Sequence, residues 1–191
     1  MFLKKIKFTL VLLLLYQIPS YSKSTSFDNF DAKNLSKYFS GIVAFENKDN
    51  TVALDFFNSS KILLNEHDPY LKRYVYSLVL ENKVSQAISV VKNNQNKSNI
   101  IFFDAYLLLI LDCLKKNDFE KANVYLKKMT GLTGSNRFNL AILESLKQYI
   151  YVFQKGRILD DKKNFGKLSI ISETFQKCFL GNNDTDTYFA K

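Results

Sequence analysis

The chain has 191 residues and carries 27 lysines and arginines against 18 aspartates and glutamates, a formal net charge of +9. At 47% hydrophobic and 24% charged it is globular rather than disordered. Six glycines and two prolines are too few for a turn-dense β-rich chain of this length, which leaves long helices joined by short turns.

The first segment, MFLKKIKFTLVLLLLYQIPSYSKS, sets Lys4, Lys5 and Lys7 before an apolar run from Phe8 to Tyr16. Pro19 and the small residues around Tyr21 follow. This layout predicts a secretory signal peptide over residues 1–22, cleaved after Ser22. The alternative is an uncleaved anchor; against it, the apolar run is shorter than the ~20 residues that span a bilayer. No cysteine lies near the cut, so a lipoprotein-type anchor is not supported. Residues 1–22 hold three lysines and no acid, so the remainder has 24 basic and 18 acidic residues, or +6. Such a lysine excess reads as solvated helix faces and also suits peripheral contact with an anionic membrane. Export and the lack of any arginine-rich run argue against nucleic acid.

Residues 23–33 read as a loose leader. Leu35, Tyr38, Phe39, Ile42 and Phe45 then recur at helical spacing, predicting a helix over Leu35 to Asn47. A second helix is predicted from Thr51 to His67. Asp68-Pro69 opens a third, with Asp68 as the cap and Pro69 at the first helical position. That helix runs to Asn82, and a fourth from Val84 to Asn94 follows after almost no loop. The polar NNQNKSN separates it from IIFFDAYLLLILDCLKKN, the fifth, and Asp118 caps a sixth opened by Phe119. After the glycine-bearing break TGLTGSN comes one long helix, Arg137 to Gly156. A charged loop then leads to its partner, Gly166 to Gly181, and residues 182–191 form a polar tail.

Three of the second helices carry a small residue in register. Ala53, Ala87 and Ala122 are spaced 34 and 35 residues apart, each followed four positions on by a bulky apolar residue: Phe57, Val91 and Leu126. A small side chain lets antiparallel helices approach closely. A helix pair cannot bury its apolar face alone, so stacked neighbours supply the core.

A helix–turn–helix unit with a period near 34 resembles the tetratricopeptide repeat family. Repeat one, about 34–67, matches with Gly41, Ala53 and Phe57; repeat two, about 68–102, with Leu71, Ala87 and Val91. Repeat three starts near Phe103 and matches with Tyr106, Leu109, Ala122 and Leu126. The chain departs from the family pattern at Val75 and Ile110, which replace the first-helix glycine, and at Lys37, which replaces the aromatic. The resemblance implies an all-α fold of stacked antiparallel helix pairs forming a right-handed tetratricopeptide-like α-solenoid. Three pairs would span 34–130, with a divergent fourth over 131–181.

The resemblance also implies a concave face, lined by the first helix of each pair, that binds a protein or peptide. It places Tyr38, Ile42, Phe45, Lys72, Tyr76, Val79, Leu107 and Leu111 there. Aromatic and cationic side chains suit a segment with apolar anchors and acidic groups. The alternative is that most of these are core residues; Leu107 and Leu111 lie in a helix apolar almost all round.

Catalytic patterns are missing from the sequence. His67 is the only histidine and falls in a turn, which leaves no Ser-His-Asp triad and no histidine-rich metal set. No phosphate loop is visible, no cofactor is implied and no small-molecule substrate is evident. Cys113 and Cys178 permit a disulfide by count, yet Cys113 sits in an apolar run that reads as a buried thiol. The expectation is therefore an exported, non-enzymatic scaffold for protein–protein interaction, periplasmic or membrane-associated, in a bacterial cell envelope. The alternative is a structural segment of a larger envelope complex, or the N-terminal part of a longer array, binding through its C-terminal end. No polar capping helix is obvious there.

Overall fold

A computed structural model describes residues 31–65, 67–95 and 102–182. The expected signal peptide, most of the expected leader, part of the NNQNKSN stretch and residues 183–191 of the tail lie outside the described residues. Those described are all-helical, with eight α-helices and one short 3-10 turn. They are α1 (Ala32–Glu46), α2 (Asn50–Ser59), α3 (Asp68–Leu80), α4 (Val84–Asn93), α5 (Phe103–Lys115), α6 (Phe119–Thr130), α7 (Arg137–Lys155) and α8 (Lys167–Phe179). From α2 onward the helices pack in chain order, each against the next.

The sequence period has a backbone counterpart. Lys48, Asn82 and Asn117 adopt left-handed φ values of 63°, 57° and 58°, and they stand 34 and 35 residues apart. Each ends a helix in the same way. The amide after the left-handed residue returns to a carbonyl of the preceding helix: Asp49 to Ala44 at 3.0 Å, Lys83 to Leu78 at 2.8 Å and Asp118 to Cys113 at 2.9 Å. This pairing satisfies carbonyls that a helix end otherwise leaves open. Asp49 and Asp118 then cap the following helices, accepting from the amides of Val52 and Lys121.

Ala53, Ala87 and Ala122 are all fully buried, as helix crossings require. Gly41 faces Phe57 so closely that a Cβ there would lie 2.8 Å from the ring. The corresponding positions on α3 and α5 hold Val75 and Ile110, both fully buried, so the later pairs take branched side chains where the first takes none. Of the bulky residues after the alanines, Phe57 and Val91 are buried while Leu126 is half-buried. On α6 Tyr125 and Met129 fill the core instead.

Several boundaries differ from the expectation. Helix α1 begins at Ala32, three residues before Leu35 and inside the stretch expected to be a loose leader. The helix expected from Thr51 to His67 stops at Ser59 and is followed by the 3-10 turn Lys61–Asn65. The Ser60 hydroxyl donates to the Phe56 carbonyl at 2.9 Å and the Tyr70 hydroxyl donates to that of Phe57, so the last-turn carbonyls are satisfied without a further turn. The 3-10 turn brings Leu63 into the core. In α3 the cap position falls on His67 rather than Asp68, with Pro69 inside the first turn.

The last pair is built differently. Asn136 caps α7 through its side chain, which accepts from the amides of Phe138 and Asn139. Gly156 closes α7 at a left-handed φ of 66°. Between α7 and α8 runs a buried polar seam. Gln176 donates to Gln148 Oε1 at 3.0 Å and to Ser172 Oγ at 3.1 Å, and Gln148 donates to Glu144 Oε1 at 3.1 Å. The Lys163 amide also reaches Glu144 Oε1, at 3.3 Å. With its polar side turned inward, α8 leaves Leu168, Ile171 and Phe175 about half exposed, and the partly exposed Phe179 ring meets Phe153 of α7 edge-on at 4.6 Å.

Candidate functional site

The residues expected on the binding face occupy equivalent places on successive first helices. Ile42, Tyr76 and Leu111 are spaced 34 and 35 residues apart on α1, α3 and α5, and so are Tyr38, Lys72 and Leu107. Ile42, Phe45, Tyr76, Val79 and Leu107 are half-buried, Lys72 is exposed and Leu111 is 48% exposed. Leu107 and Leu111 therefore reach solvent although α5 is apolar on most of its surface.

Tyr38 is the exception. It is only 3% exposed, so it belongs to the core and not to an accessible face. Its ring lies 4.9 Å edge-on from His67, 5.7 Å from Tyr70 and 6.0 Å from Phe57. The start of α3 and the residue before it close over Tyr38, and an aromatic cluster of this kind supplies more apolar burial than a solvated ring.

Around Tyr76 the face is organised by residues that the sequence reading missed. The Tyr76 hydroxyl donates to Asp104 Oδ2 at 2.6 Å, and the Tyr76 ring meets Phe102 in a T-shaped contact at 6.1 Å. Lys72 Nζ stands 5.6 Å from the centre of the Tyr76 ring and 6.0 Å from that of Phe102, a cation–π arrangement. Burial in the first place, and the Asp104 carboxylate in the second, hold the Tyr76 hydroxyl well above the usual phenol range. One pair earlier, Arg73 of α3 joins Glu46 of α1 at 3.1 Å. Neither Asp104 nor Phe102 could be assigned from periodicity, because a cross-pair hydrogen bond has no sequence signature. Phe39 and Val43 of α1 and Leu80 of α3 are further exposed apolar residues of the first helices.

A cleft of about 390 Å³ lies among Lys61, Tyr74, Gln86, Val90 and Asn93. Polar groups around it already have partners: the Tyr74 hydroxyl donates to Asn58 at 2.9 Å, and the Asn94 amide donates to the Val90 carbonyl at 2.8 Å. Lys61 sits 5.4 Å over the Tyr74 ring, taking the aromatic face a ligand would use. Both cysteines are free, Cys113 buried and Cys178 exposed. Among the described residues no group of three or more His, Cys, Asp or Glu side chains could hold a metal ion. No helix among them is long and apolar enough to cross a membrane.

Comparison with known proteins adds no relative: no family model, no curated protein and no solved structure matches this chain.

Proposed function

We propose that this chain is an exported, non-enzymatic scaffold whose helix pairs stack as a right-handed tetratricopeptide-like solenoid. The face of α1, α3 and α5 holds a protein or peptide partner in a bacterial cell envelope. One observation carries the reading: the row Ile42, Tyr76 and Leu111, in step with the 34- and 35-residue period, reaches solvent on successive first helices. A periodic row of partly exposed apolar groups next to the cation of Lys72 offers anchors for an extended or helical segment with acidic groups. Export rests on the charged, apolar and small-residue layout of residues 1–22.

The test is crosslinking and capture of the tagged protein from cell envelopes, beside Leu111→Asp and Tyr76→Ala variants. A defined partner that both variants lose supports the face; a partner retained by both overturns it. N-terminal sequencing of the captured chain checks export, with Lys23 as the expected first residue.

The second reading, attachment to a larger assembly through the C-terminal end, is favoured by the half-exposed apolar side chains of α8. In that case deletion of residues 167–191 abolishes capture and the first-helix variants do not.

A further inference from the structure

Residues 121–143 carry Lys121, Lys127, Lys128 and Arg137 and no aspartate or glutamate. All four cations are exposed, and none is ion-paired among the described residues. Lys92 and Lys116, by contrast, share Asp112, and Lys162 and Lys177 share Glu173. Lys121, Val124 and Lys128 recur at intervals of three and four along α6, with Lys127 beside them, so they lie on one arc. The other side of α6, with Ala122, Tyr125 and Met129, is buried, which turns this arc to solvent. Glu120 stands at the far end of the arc, where its carboxylate accepts from Gln154 at 3.0 Å. The near end is tied to α7. The Leu132 amide donates to the Met129 carbonyl at 3.0 Å, the Thr133 hydroxyl to that of Thr130 at 3.0 Å, and the Asn136 amide to that of Thr133 at 3.3 Å. Lys127 and Lys128, in the last turn of α6, are thus held at one corner with Arg137 and Phe138, in the first turn of α7. Phe138 is 62% exposed.

Charge and shape select the occupant. Four free cations with no acid among them call for a negative surface. A protein partner would need ~800 Å² with an apolar centre. The exposed apolar groups here are Val124 and Phe138, one amid the lysines and one at the corner, on a convex helix face. Nucleic acid is read through arginines and stacking aromatics around a groove, and this surface has one arginine and no groove-lining ring. An anionic bilayer needs neither a groove nor matching shape. Each lysine or arginine near it gains about fivefold in affinity, so four gain about 600-fold together. A ring beside the cations adds to this by entering the headgroup layer. We propose that the outer face of α6 and the α6–α7 turn dock the chain on an anionic lipid surface. Lys121, Lys127, Lys128 and Arg137 meet the lipid phosphates, and Phe138 enters the headgroup layer. This surface is separate from the row on α1, α3 and α5, so it stands or falls independently of that reading.

The described helices belong to a compact unit that begins at Lys33. The protein is therefore taken from Lys23, without the apolar run of residues 1–22 that would enter lipid by itself. Its co-sedimentation with vesicles of phosphatidylglycerol and phosphatidylcholine is compared with that on phosphatidylcholine alone. Binding to the anionic vesicles is saturable, about a hundredfold tighter than to the neutral ones, and falls at least about tenfold at high salt. Lys128→Gln and Arg137→Gln each weaken it about fivefold, and Lys127→Gln, Lys128→Gln and Arg137→Gln together about a hundredfold. Lys83→Gln, the same loss of charge at the α3–α4 turn, leaves it unchanged. The chain has no tryptophan, so Phe138→Trp is a unique reporter, and its emission shifts to the blue on anionic vesicles. The substituted side chains are exposed, and a folding failure in one variant, seen by circular dichroism, leaves the others to decide. No binding, equal binding to the two vesicles, or an equal loss in Lys83→Gln overturns the proposal. So does a Phe138→Trp emission that lipid does not move. Binding to polyglutamate but not to vesicles also overturns it, because an acidic protein is then the occupant.

Discussion

The Tyr76 hydroxyl donates to the Asp104 carboxylate at 2.6 Å, joining α3 to α5 across 28 residues of sequence. This bond fixes the ring beside Lys72 and Phe102, and it ties first helices of neighbouring pairs directly. Tyr76→Phe keeps the ring and removes the bond. The expected cost is about 1–2 kcal/mol, because the acceptor is charged and the site half-buried. Urea unfolding of the two proteins at neutral pH checks it.

The same pair makes stability depend on alkaline pH. Burial, then Asp104, raises the Tyr76 hydroxyl, and burial raises Tyr70 as well. The folded chain therefore keeps protons that the unfolded chain begins to release near pH ~10. The contribution is complete below that pH and is lost as pH rises toward the folded values. Urea midpoints should stay level to about pH 9 and fall above about pH 10, less steeply in Tyr76→Phe.

At the acid end Asp112 of α5 is one such group; Glu173, held by Lys162 and Lys177, is lowered too. Asp112 accepts from Lys92 of α4 at 2.6 Å and from Lys116 at 2.8 Å. Hydrogen bonds from Lys116 and then Lys92 hold its carboxyl below the ordinary range. Its contribution is present above about pH 4 and is lost as pH falls below it. Asp112→Asn should flatten that part of the stability profile and cost no more than about 1 kcal/mol at pH 7, since the lysines are solvated. Denaturation followed by circular dichroism from acid to neutral pH measures both.

Gly41 marks the closest approach in the first pair. A Cβ at this position would stand 2.8 Å from Phe57 Cε1 and 3.2 Å from Phe56 Cβ, and Phe57 is fully buried. Gly41→Ala should therefore destabilise the fold by about 1–3 kcal/mol, despite the higher helix propensity of alanine. In the Phe57→Leu background the penalty of Gly41→Ala should shrink, which a double-mutant cycle reads directly.

The three left-handed turn residues are not equally suited to their backbone. Asparagine tolerates φ near +60° better than lysine does. Lys48, at φ 63°, is the strained member beside Asn82 and Asn117. Lys48→Gly should raise the thermal midpoint, by about 0.5–1 kcal/mol in stability, whereas Asn82→Val should lower it.

Much of the fold was legible because helix periodicity and turn chemistry are local. The 34- and 35-residue spacing of Ala53, Ala87 and Ala122 reappears as fully buried alanines. Lys48, Asn82 and Asn117 repeat that spacing as left-handed turns. Asp118 caps α6 as its position in the sequence indicates, because a cap needs only its own next few amides. The break at Ser60 was not legible: it depends on the Tyr70 hydroxyl, which arrives from the following helix.

For the candidate face, the sequence by itself determined the equivalence of Ile42, Tyr76 and Leu111, since equivalence follows from period alone. Only the tertiary structure decided which side chains stay accessible. Tyr38 shares its register with Lys72 and Leu107, yet His67, Tyr70 and Phe57 close over it. The same division holds at the C-terminal end. The apolar stripe of α8 can be read from the spacing of Leu168, Ile171, Phe175 and Phe179, but its direction cannot. A helix shows its two faces in sequence, and its roll is set by the groups it meets across the interface. Here those groups are Glu144 and Gln148, which are buried and hydrogen-bonded, so the polar side of α8 turns inward and Leu168, Ile171 and Phe175 are left about half exposed.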